Sequence, residues 1–258
     1  MQNKIFGLIG KPIKHSFSKK YFEEKFDKLH LTDCEYRLFE LESIKDLPKL
    51  IGNTTNLQGF NVTSPYKIQI LDHLYSISQD AFAIGAVNTV KIENGKLTGY
   101  NTDWKGFLKS LMSNVDVSKI QSALILGTGG AAKSVAFALN TQNISYIYAS
   151  TRSIFNDKDT ISYSTLNRFE NFEMFDLIVN ATPCGMEHYP LMADINTNKI
   201  TKKHIVFDLI YNPNETLLLK EAKNNDAKII NGLEMLHNQA EESWKIWTKN
   251  NNPIKITL

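Results

Sequence analysis

The most distinctive chemical spacing in the chain is that of Gly127, Gly129 and Ala132. The two glycines follow the apolar run Ser122–Leu126, and Ala132 lies in the helical segment Ala131–Leu139 that comes next. This is the G-x-G-x-x-A order of a dinucleotide-binding turn between a strand and a helix. The first glycine permits a tight turn, the second lets the backbone approach a pyrophosphate, and the alanine permits close packing. The helix N-terminus then offers N–H groups to an anion. A lone motif of this kind is also typical of a simple tight turn, so both interpretations stay open on these residues alone.

The residues after the next strand bear on which nucleotide the turn would hold. In an NAD-type unit, a carboxylate about twenty positions after the first glycine binds the ribose 2′-hydroxyl. Here the segment Ala149–Ser153 has no carboxylate and carries Arg152 between Thr151 and Ser153. A guanidinium flanked by hydroxyls suits a 2′-phosphate, which a carboxylate would repel. We therefore expect NADP as the cofactor; the alternative is that Arg152 is a solvated loop cation.

Three polar groups in the first half of the chain could serve a small-molecule site. The segment Asn61–Lys67 places polar side chains at a strand end and Lys67 one turn into a helix, Asn101–Asp103 precedes another helix, and Ser16 and Ser18 begin a third. Taken singly, these groups are equally typical of a surface lysine, an N-cap and a helix start.

Composition narrows the class of protein. The chain has 258 residues, and its 29 Lys and Arg nearly balance its 27 Asp and Glu, which predicts no general attraction to nucleic acid or membrane surfaces. Neither a membrane span nor a signal peptide is indicated, and Cys34 and Cys184 are expected to be reduced thiols, as in a cytoplasmic protein. The histidines are scattered, so no metal site is expected. Neither nucleic acid nor a membrane is therefore expected as a partner.

Apolar runs and turn residues predict the elements that must position these groups. The predicted strands are Lys4–Gly10, Glu35–Leu41, Leu57–Val62, the hairpin Ala86–Ile92 with Lys96–Tyr100, and then Ser122–Leu126, Tyr146–Ala149, Leu177–Asn180, His204–Leu209 and Lys228–Ile230. The predicted helices include Lys19–Leu29, Ile44–Ile51, Tyr66–Leu74, one that follows Asp103, Ala131–Leu139 and Leu233–Lys249. The stretch Asn156–Asn171 is polar and poorly patterned, so no structure is predicted there.

This alternation of strands and helices predicts an α/β protein with a parallel, doubly wound sheet. We further expect two domains separated by a cleft. We expect an α/β substrate domain with a mostly parallel sheet, formed by residues 1–102 plus 233–258. We expect residues 103–232 to form a doubly wound, Rossmann-type domain for NADP. The last helix is assigned to the first domain because its apolar face needs a partner and the nucleotide unit is complete without it.

The chain closely resembles the shikimate dehydrogenase family from end to end. The matching segments are His15–Ser18 (HSFS), Asn61–Lys67 (NVTSPYK), Gly85–Thr89 (GAVNT), Gly99–Asp103 (GYNTD), Gly127–Ala131 (GTGGA), Asn180–Met186 (NATPCGM), Asp208–Pro213 (DLIYNP) and Gly232–Gln239 (GLEMLHNQ). Eight matches in the family's order are far more specific than any one of them. The resemblance implies reversible reduction of 3-dehydroshikimate to shikimate with NADPH, in the biosynthesis of aromatic amino acids.

The resemblance also implies a role for each matching residue. Ser16 and Ser18 would bind the substrate carboxylate, and Asn61 and Thr102 are candidates to line the same pocket. The groups implied to hold ring hydroxyls are Thr63, Asn88, Asp103, Tyr211 and Gln239. The residues implied to bind the cofactor are Gly127, Thr128, Gly129, Gly130, Ala131, Thr151, Arg152 and Ser153, with Leu209 and Gly232 near the nicotinamide.

Lys67 and Asp103 look like the catalytic pair of that family, and their chemistry suits the reaction. Hydride delivery to a ketone leaves oxyanion character on the oxygen, which must be protonated. The ammonium of Lys67 can stabilise that charge and donate a proton, while the carboxylate of Asp103 orients the ammonium. Which of the two is the formal acid is left open. Because the implied substrate and cofactor residues lie in separate halves of the chain, we also expect domain closure around both ligands.

The sequence departs from the family's usual pattern at several positions. Trp104 and Thr151 stand where glycine and asparagine are common, Asn156 replaces a second basic residue, and Gln79 replaces an acidic one. The residues at 151 and 156 predict weaker binding of the 2′-phosphate than two cations would give. The nearest alternative within the same class of enzyme is a quinate or dual quinate/shikimate dehydrogenase, which could use NAD. A sensor without catalysis is the alternative from another class, and either a monomer or a homodimer fits the sequence.

Overall fold

The chain forms two compact units in a computed structural model that describes residues 3–14, 16–151, 159–187, 189, 191–248 and 256–257. The first unit is Met1–Thr102 with Ala240–Leu258, and the second is Asp103–Gln239. The first boundary is also that of the expected domains. The second falls at Ala240, inside the helix Leu233–Thr248, and not at residue 233. The division into functional domains stays a prediction.

The first unit is built on a seven-stranded sheet. Its strands are β1 (Lys4–Gly10), β2 (Cys34–Glu40), β3 (Leu57–Val62), β4 (Ser76–Ile77), β5 (Thr89–Glu93), β6 (Lys96–Tyr100) and, numbered last in the chain, β13 (Ile256–Thr257), in the order β13-β4-β6-β5-β3-β1-β2. β1 pairs in parallel with β2 and β3, and β5 is antiparallel to β3 and β6. Because β1 and β3 are parallel, the segments that follow them leave from one edge of the sheet.

The helices of the first unit cover its sheet. They are α1 (Phe17–Lys28), α2 (Leu47–Asn53), α3 (Tyr66–Gln69), α4 (Gln79–Ile84) and the second half of α9 (Leu233–Thr248). Trp247 of α9 is buried, and its indole N–H donates to the Val90 carbonyl at 3.0 Å. A Cβ on Gly59 would lie 2.5 Å from the indole nitrogen, so the glycine lets α9 approach the sheet.

The second unit is a doubly wound parallel sheet. Its strands are β7 (Ser122–Leu126), β8 (Ser145–Ser150), β9 (Thr160–Ser162), β10 (Leu177–Asn180), β11 (Ile205–Asp208) and β12 (Lys228–Ile230), in the order β12-β11-β10-β7-β8-β9. Its helices are α5 (Asp103–Asn114), α6 (Gly130–Thr141), α7 (Tyr163–Leu166), α8 (Leu217–Asn224) and the first half of α9. The strand order reverses between β7 and β10, and such a switch point opens a ligand crevice at the carboxyl ends of those strands.

Both faces of this second sheet are buried, which explains why its strands are continuous apolar runs. Ile125 and Val179 enter the core cluster that holds α5 and α6, while their neighbours Leu124 and Ile178 enter the cluster that holds α7 and α8. Alternate strand residues point to opposite faces, so a strand covered on both faces needs apolar side chains throughout.

The structure corrects two predicted elements and shows two more in a stretch for which none was predicted. The strand expected over Ala86–Ile92 begins only at Thr89, because the N–H of Val87 bonds to the Lys67 carbonyl and the Asn101 amide to the Ala86 carbonyl. The helix expected over Tyr66–Leu74 ends at Gln69 and continues as a 3₁₀ turn over Ile70–His73. The stretch with no predicted structure contains β9 and α7 in its described part.

Candidate active site

The glycine turn follows β7 as the sequence predicts. Gly127 has φ +98°, a conformation that favours glycine, and its N–H donates to the Ala149 carbonyl at 2.8 Å. A Cβ at Gly127 would lie 2.9 Å from Cγ2 of Thr182. The turn therefore needs glycine at this position for two reasons: its backbone angle is positive, and the loop after β10 leaves no room for a Cβ.

The N-terminus of α6 is suited to an anion. Gly129 is its N-cap, and no side chain of the described residues caps the first turn. A Cβ built on Gly129 meets no described atom within 4 Å, so the backbone there is open. Ala132 is fully buried against the sheet, as its place in the motif requires. With Thr128, Gly130 and Ala131 beside them, these residues fit a dinucleotide pyrophosphate.

The residues expected to select the 2′-phosphate follow β8. β8 lies beside β7 in parallel, with Ala149 opposite Leu126, so Thr151 leaves from the same edge of the sheet as the glycine turn. Thr151 is exposed. The predictions on Arg152, Ser153 and Asn156 lie outside the described residues.

Two further loops meet at the switch-point edge, and a buried carboxylate joins them. Asp208, at the end of β11, accepts from Nδ2 of Asn180 at 2.9 Å and from the Thr216 hydroxyl at 2.6 Å. It also accepts from the N–H of Ile210 at 3.0 Å. Burial raises the pKa of the Asp208 carboxyl to about 6, against these hydrogen bonds, which favour its charged form.

Leu209 and Gly232, the residues expected near the nicotinamide, are packed together beside that carboxylate. The N–H of Leu209 donates to the Asn180 carbonyl at 3.0 Å. A Cβ on Gly232 would come within 2.0 Å of the Leu209 carbonyl oxygen, so only glycine fits. Tyr211, two residues after Leu209, is half-buried.

In the first unit, the candidate substrate residues begin at α1. Ser16 is the N-cap of this helix, and its Oγ accepts from the N–H of Ser18 at 3.3 Å. Ser18 is buried. Burial raises the pKa of Tyr36 well above its usual value, and a hydrogen bond with Ser18 acts in the opposite direction. The Tyr36 hydroxyl then donates to Oδ1 of Asn61 at 2.8 Å.

Asn88 and Thr102 are held rigidly by each other. The side-chain amide of Asn88 donates to Oγ1 of Thr102 at 2.8 Å, and its Oδ1 accepts from the backbone N–H of Thr102 at 2.7 Å. Both side chains are almost fully buried. The pair therefore fixes the hairpin end that carries the chain into Asp103.

Lys67 and Asp103 belong to different units. Lys67 is half-buried on α3, where its carbonyl accepts from the N–H of Val87, and Thr63 precedes it beside β1. Asp103 is 5% exposed and is the first residue of α5. Asp103 and the half-buried Gln239 lie at the two ends of the second unit's chain segment. The meeting of Lys67 and Asp103 stays a prediction.

Several residues that shape the site escaped the sequence analysis. A Cβ on Gly106 would lie 2.9 Å from Cβ of Gln239, and Ser243 contacts Asn61 at 2.9 Å. A signal for Ser243 was available, since it is a polar residue on the apolar stripe of α9. Trp104, one of the departures noted above, packs edge-on against Phe137 of α6, with ring centroids 5.2 Å apart.

The described residues contain neither a candidate metal cluster nor a candidate membrane-spanning helix. No group of three or more His, Cys, Asp or Glu side chains that could hold a metal occurs among the described residues. In the same ranges, no helix combines the length and apolar character needed to cross a bilayer. Cys34 and Cys184 are both free thiols.

Comparison with known proteins gives consistent matches. A family model for the shikimate dehydrogenase substrate binding domain matches residues 8–90. A shikimate dehydrogenase (NADP(+)) of Methanococcus maripaludis is 39% identical over 262 residues, which cover 96% of this chain and 92% of that protein. The solved shikimate dehydrogenase of Aquifex aeolicus is 36% identical, with a TM-score of 0.84 over 95% of this chain and 92% of that one. That of Thermus thermophilus, solved with NADP(H) and shikimate, is 29% identical, with a TM-score of 0.82 over 95% and 93%.

Proposed function

The chain belongs to the shikimate dehydrogenase family, and we propose that it catalyses the reversible NADPH-dependent reduction of 3-dehydroshikimate to shikimate. The observation that carries this proposal is similarity over nearly the whole of both chains to enzymes of that name, 39% identical in one case. The fit of the glycine turn and the α6 N-terminus to a pyrophosphate supports a dinucleotide cofactor.

The cofactor would be held along the switch-point edge of the second sheet. The N–H groups from Gly127 to Ala131 would bind the pyrophosphate, and Thr151, Arg152 and Ser153 would bind the 2′-phosphate. Leu209 and Gly232 would border the nicotinamide. NADPH supplies a hydride when bound.

The substrate would be held mainly by the first unit. The hydroxyls of Ser16 and Ser18 would bind its carboxylate. Its ring hydroxyls would meet the side chains of Thr63, Asn88, Asp103, Tyr211 and Gln239. A site that pairs each hydroxyl rejects analogues that lack one, because its polar groups would then stay buried without partners.

Lys67 and Asp103 would handle the proton. The ammonium of Lys67 would donate a hydrogen bond to the ketone oxygen, stabilise the charge that develops there and protonate it. The Asp103 carboxylate would orient that ammonium. Its place at the first residue of α5 suits a negative charge, since helix N-termini favour anions.

A substrate and cofactor panel tests the function. The purified chain is offered shikimate or quinate with NADP⁺ or NAD⁺, and reduced cofactor is followed by its absorbance. We expect the highest kcat/KM for shikimate with NADP⁺. Higher kcat/KM for quinate with NAD⁺ would overturn the proposed substrate, and binding without turnover would favour a sensor.

A further inference from the structure

Ser243 of α9 is a buried hydroxyl to which no role has been assigned above. Ser243 is 0% exposed, and its Oγ lies between three side chains of the first unit. Nδ2 of Asn61 donates to it at 2.9 Å. Oγ1 of Thr89 lies 2.8 Å away and Oγ1 of Thr102 lies 3.2 Å away. One hydroxyl therefore joins the end of β3, the start of β5 and the residue before α5.

Two of these partners, Asn61 and Thr102, are candidates to line the pocket proposed for the substrate. Thr102 exchanges hydrogen bonds with Asn88, and Nδ2 of Asn61 also reaches the Asn88 carbonyl at 3.3 Å. Asn88 is one of the groups proposed to hold a ring hydroxyl. A change at Ser243 would thus reach the substrate through Asn61 and Thr102.

The hydrogen bonds that the Ser243 hydroxyl can make give it a role beyond packing. A serine hydroxyl has one proton to donate, and it accepts through its lone pairs. Ser243 accepts from the Asn61 amide and lies within hydrogen-bond distance of the Thr89 and Thr102 hydroxyls, where either oxygen of each pair can be the donor. It therefore couples one amide and two further hydroxyls in a buried, low-dielectric network, where each bond reinforces the next.

The neighbouring face of α9 shows that packing alone did not require a polar group here. Ala240 precedes Ser243 by one helical turn and Trp247 follows by another, and both are buried apolar residues. The hydroxyl is thus an exception within an apolar stripe, and it occurs opposite Asn61 and Thr102.

We propose that Ser243 is a positioning residue for substrate recognition, whose hydroxyl orients Asn61 and Thr102 so that Asn88 and Thr102 present their polar atoms to the substrate's ring hydroxyls. This proposal rests on the proposed function, because it concerns the same pocket. It assigns Ser243 to shikimate affinity and not to the cofactor or to the chemical step.

The test compares Ser243→Ala with Ser76→Ala. Ser76 is a matched control, since it is a 1% exposed serine of the same unit whose Oγ lies 2.9 Å from a threonine hydroxyl, that of Thr98. For Ser243→Ala we expect the shikimate KM, and the shikimate dissociation constant from calorimetry, to rise roughly 2- to 10-fold, the range of one neutral hydrogen bond. The kcat and the NADP⁺ KM should stay within about twofold of wild type.

Ser76→Ala should leave the shikimate KM unchanged. An unchanged shikimate KM in Ser243→Ala, or equal changes in both variants, would overturn the role of Ser243 while leaving the function intact. Failure of the wild-type chain to turn over shikimate would instead overturn the proposed function, and the role of Ser243 with it.

Discussion

Lys67 is the residue on which the proposed chemistry most depends. It is half-buried on the four-residue helix α3, and the hydrogen bond from Val87 to its carbonyl ties that helix to the segment before β5. Positioned acid catalysis contributes roughly 10²- to 10⁴-fold to a rate. We therefore predict that Lys67→Ala lowers kcat by that factor in the shikimate assay, with a smaller change in the shikimate KM.

Lys49 offers the control for this change. It is an exposed lysine on α2 of the same unit, so Lys49→Ala removes a charge from the unit without touching the pocket. Its kcat should equal that of wild type. A near-normal kcat in Lys67→Ala would remove Lys67 from the mechanism.

Asp208 links protonation to stability. Its carboxyl is fully buried, and its pKa is raised from 3.8 to about 6. The folded state then binds more protons than the unfolded state between these two values. The stabilisation from this group is full below about pH 4 and is lost as the pH rises through about 6.

Asp208→Asn should abolish this pH dependence. Relative to the variant, the wild type is expected to lose roughly 2–3 kcal/mol of unfolding free energy as the pH rises from about 4 to 7. Urea denaturation of both proteins across that range measures the difference, in which the titration of other groups cancels. Parallel curves for the two proteins would show that Asp208 does not titrate in this range.

Among single residues, the sequence predicts those whose type and spacing already imply a function. It does not predict residues that act by contacting and positioning other residues. Gly127 and Ala132 follow from their spacing: Gly127 lies in the predicted turn, and Ala132 is buried in α6, the helix after it. Ser243 and Gly106 have no such spacing, since their importance comes from contacts between residues far apart in the chain.

The packing of α5 against α9 is the element-scale feature that positions Gln239. A Cβ on Gly106 would lie 2.7 Å from the Met235 carbonyl oxygen and 2.9 Å from Cβ of Gln239. Backbone atoms cannot give way as a flexible side-chain end can. Any side chain at position 106 would therefore push the two helices apart and move Gln239.

We predict that Gly106→Ala lowers the unfolding free energy by about 1–3 kcal/mol, the cost of overpacking, and raises the shikimate KM. Urea denaturation and steady-state kinetics give the two readouts. Gly52→Ala is the matched control, because Gly52 also lies in a helix, α2, and an added Cβ meets no described atom within 4 Å. It should be neutral or slightly stabilising, since alanine is the better helix former. Equal losses in both variants would mean that close helix packing at Gly106 is unimportant.

The sequence predicts a strand correctly where both faces of its sheet are covered. It misplaces a strand's end where a side chain, rather than a neighbouring strand, takes a backbone hydrogen bond. The apolar runs of β7 and β10 predict strands correctly because both faces of their sheet are covered. The start of β5 is misplaced because the Asn101 amide takes the Ala86 carbonyl, a side-chain contact that local propensity does not contain.

For the whole molecule, the central fact is that the proposed ligand groups are divided between two units. Ser16, Ser18 and Lys67 lie in the first, whereas Asp103 and the glycine turn lie in the second. The proposed chemistry, in which one ketone contacts both Lys67 and Asp103, needs a residue from each unit, and we predict that the domains close around the ligands. The order of the motifs along the chain predicts that both units contribute residues. The amplitude of domain closure depends on the energetics of the hinge, which no local sequence pattern encodes.

We therefore predict that shikimate and NADP⁺ together reduce the radius of gyration more than either ligand alone. Small-angle X-ray scattering on the Lys67→Ala variant measures this, since slow turnover keeps both ligands in place. The same measurement with quinate and NADP⁺ serves as the comparison. Quinate is an acid with an additional hydroxyl, and its carboxylate would have to fit the same two serines, Ser16 and Ser18. Equal radii with and without both ligands would contradict closure, and Lys67 and Asp103 would then have to act on the substrate without movement of the units.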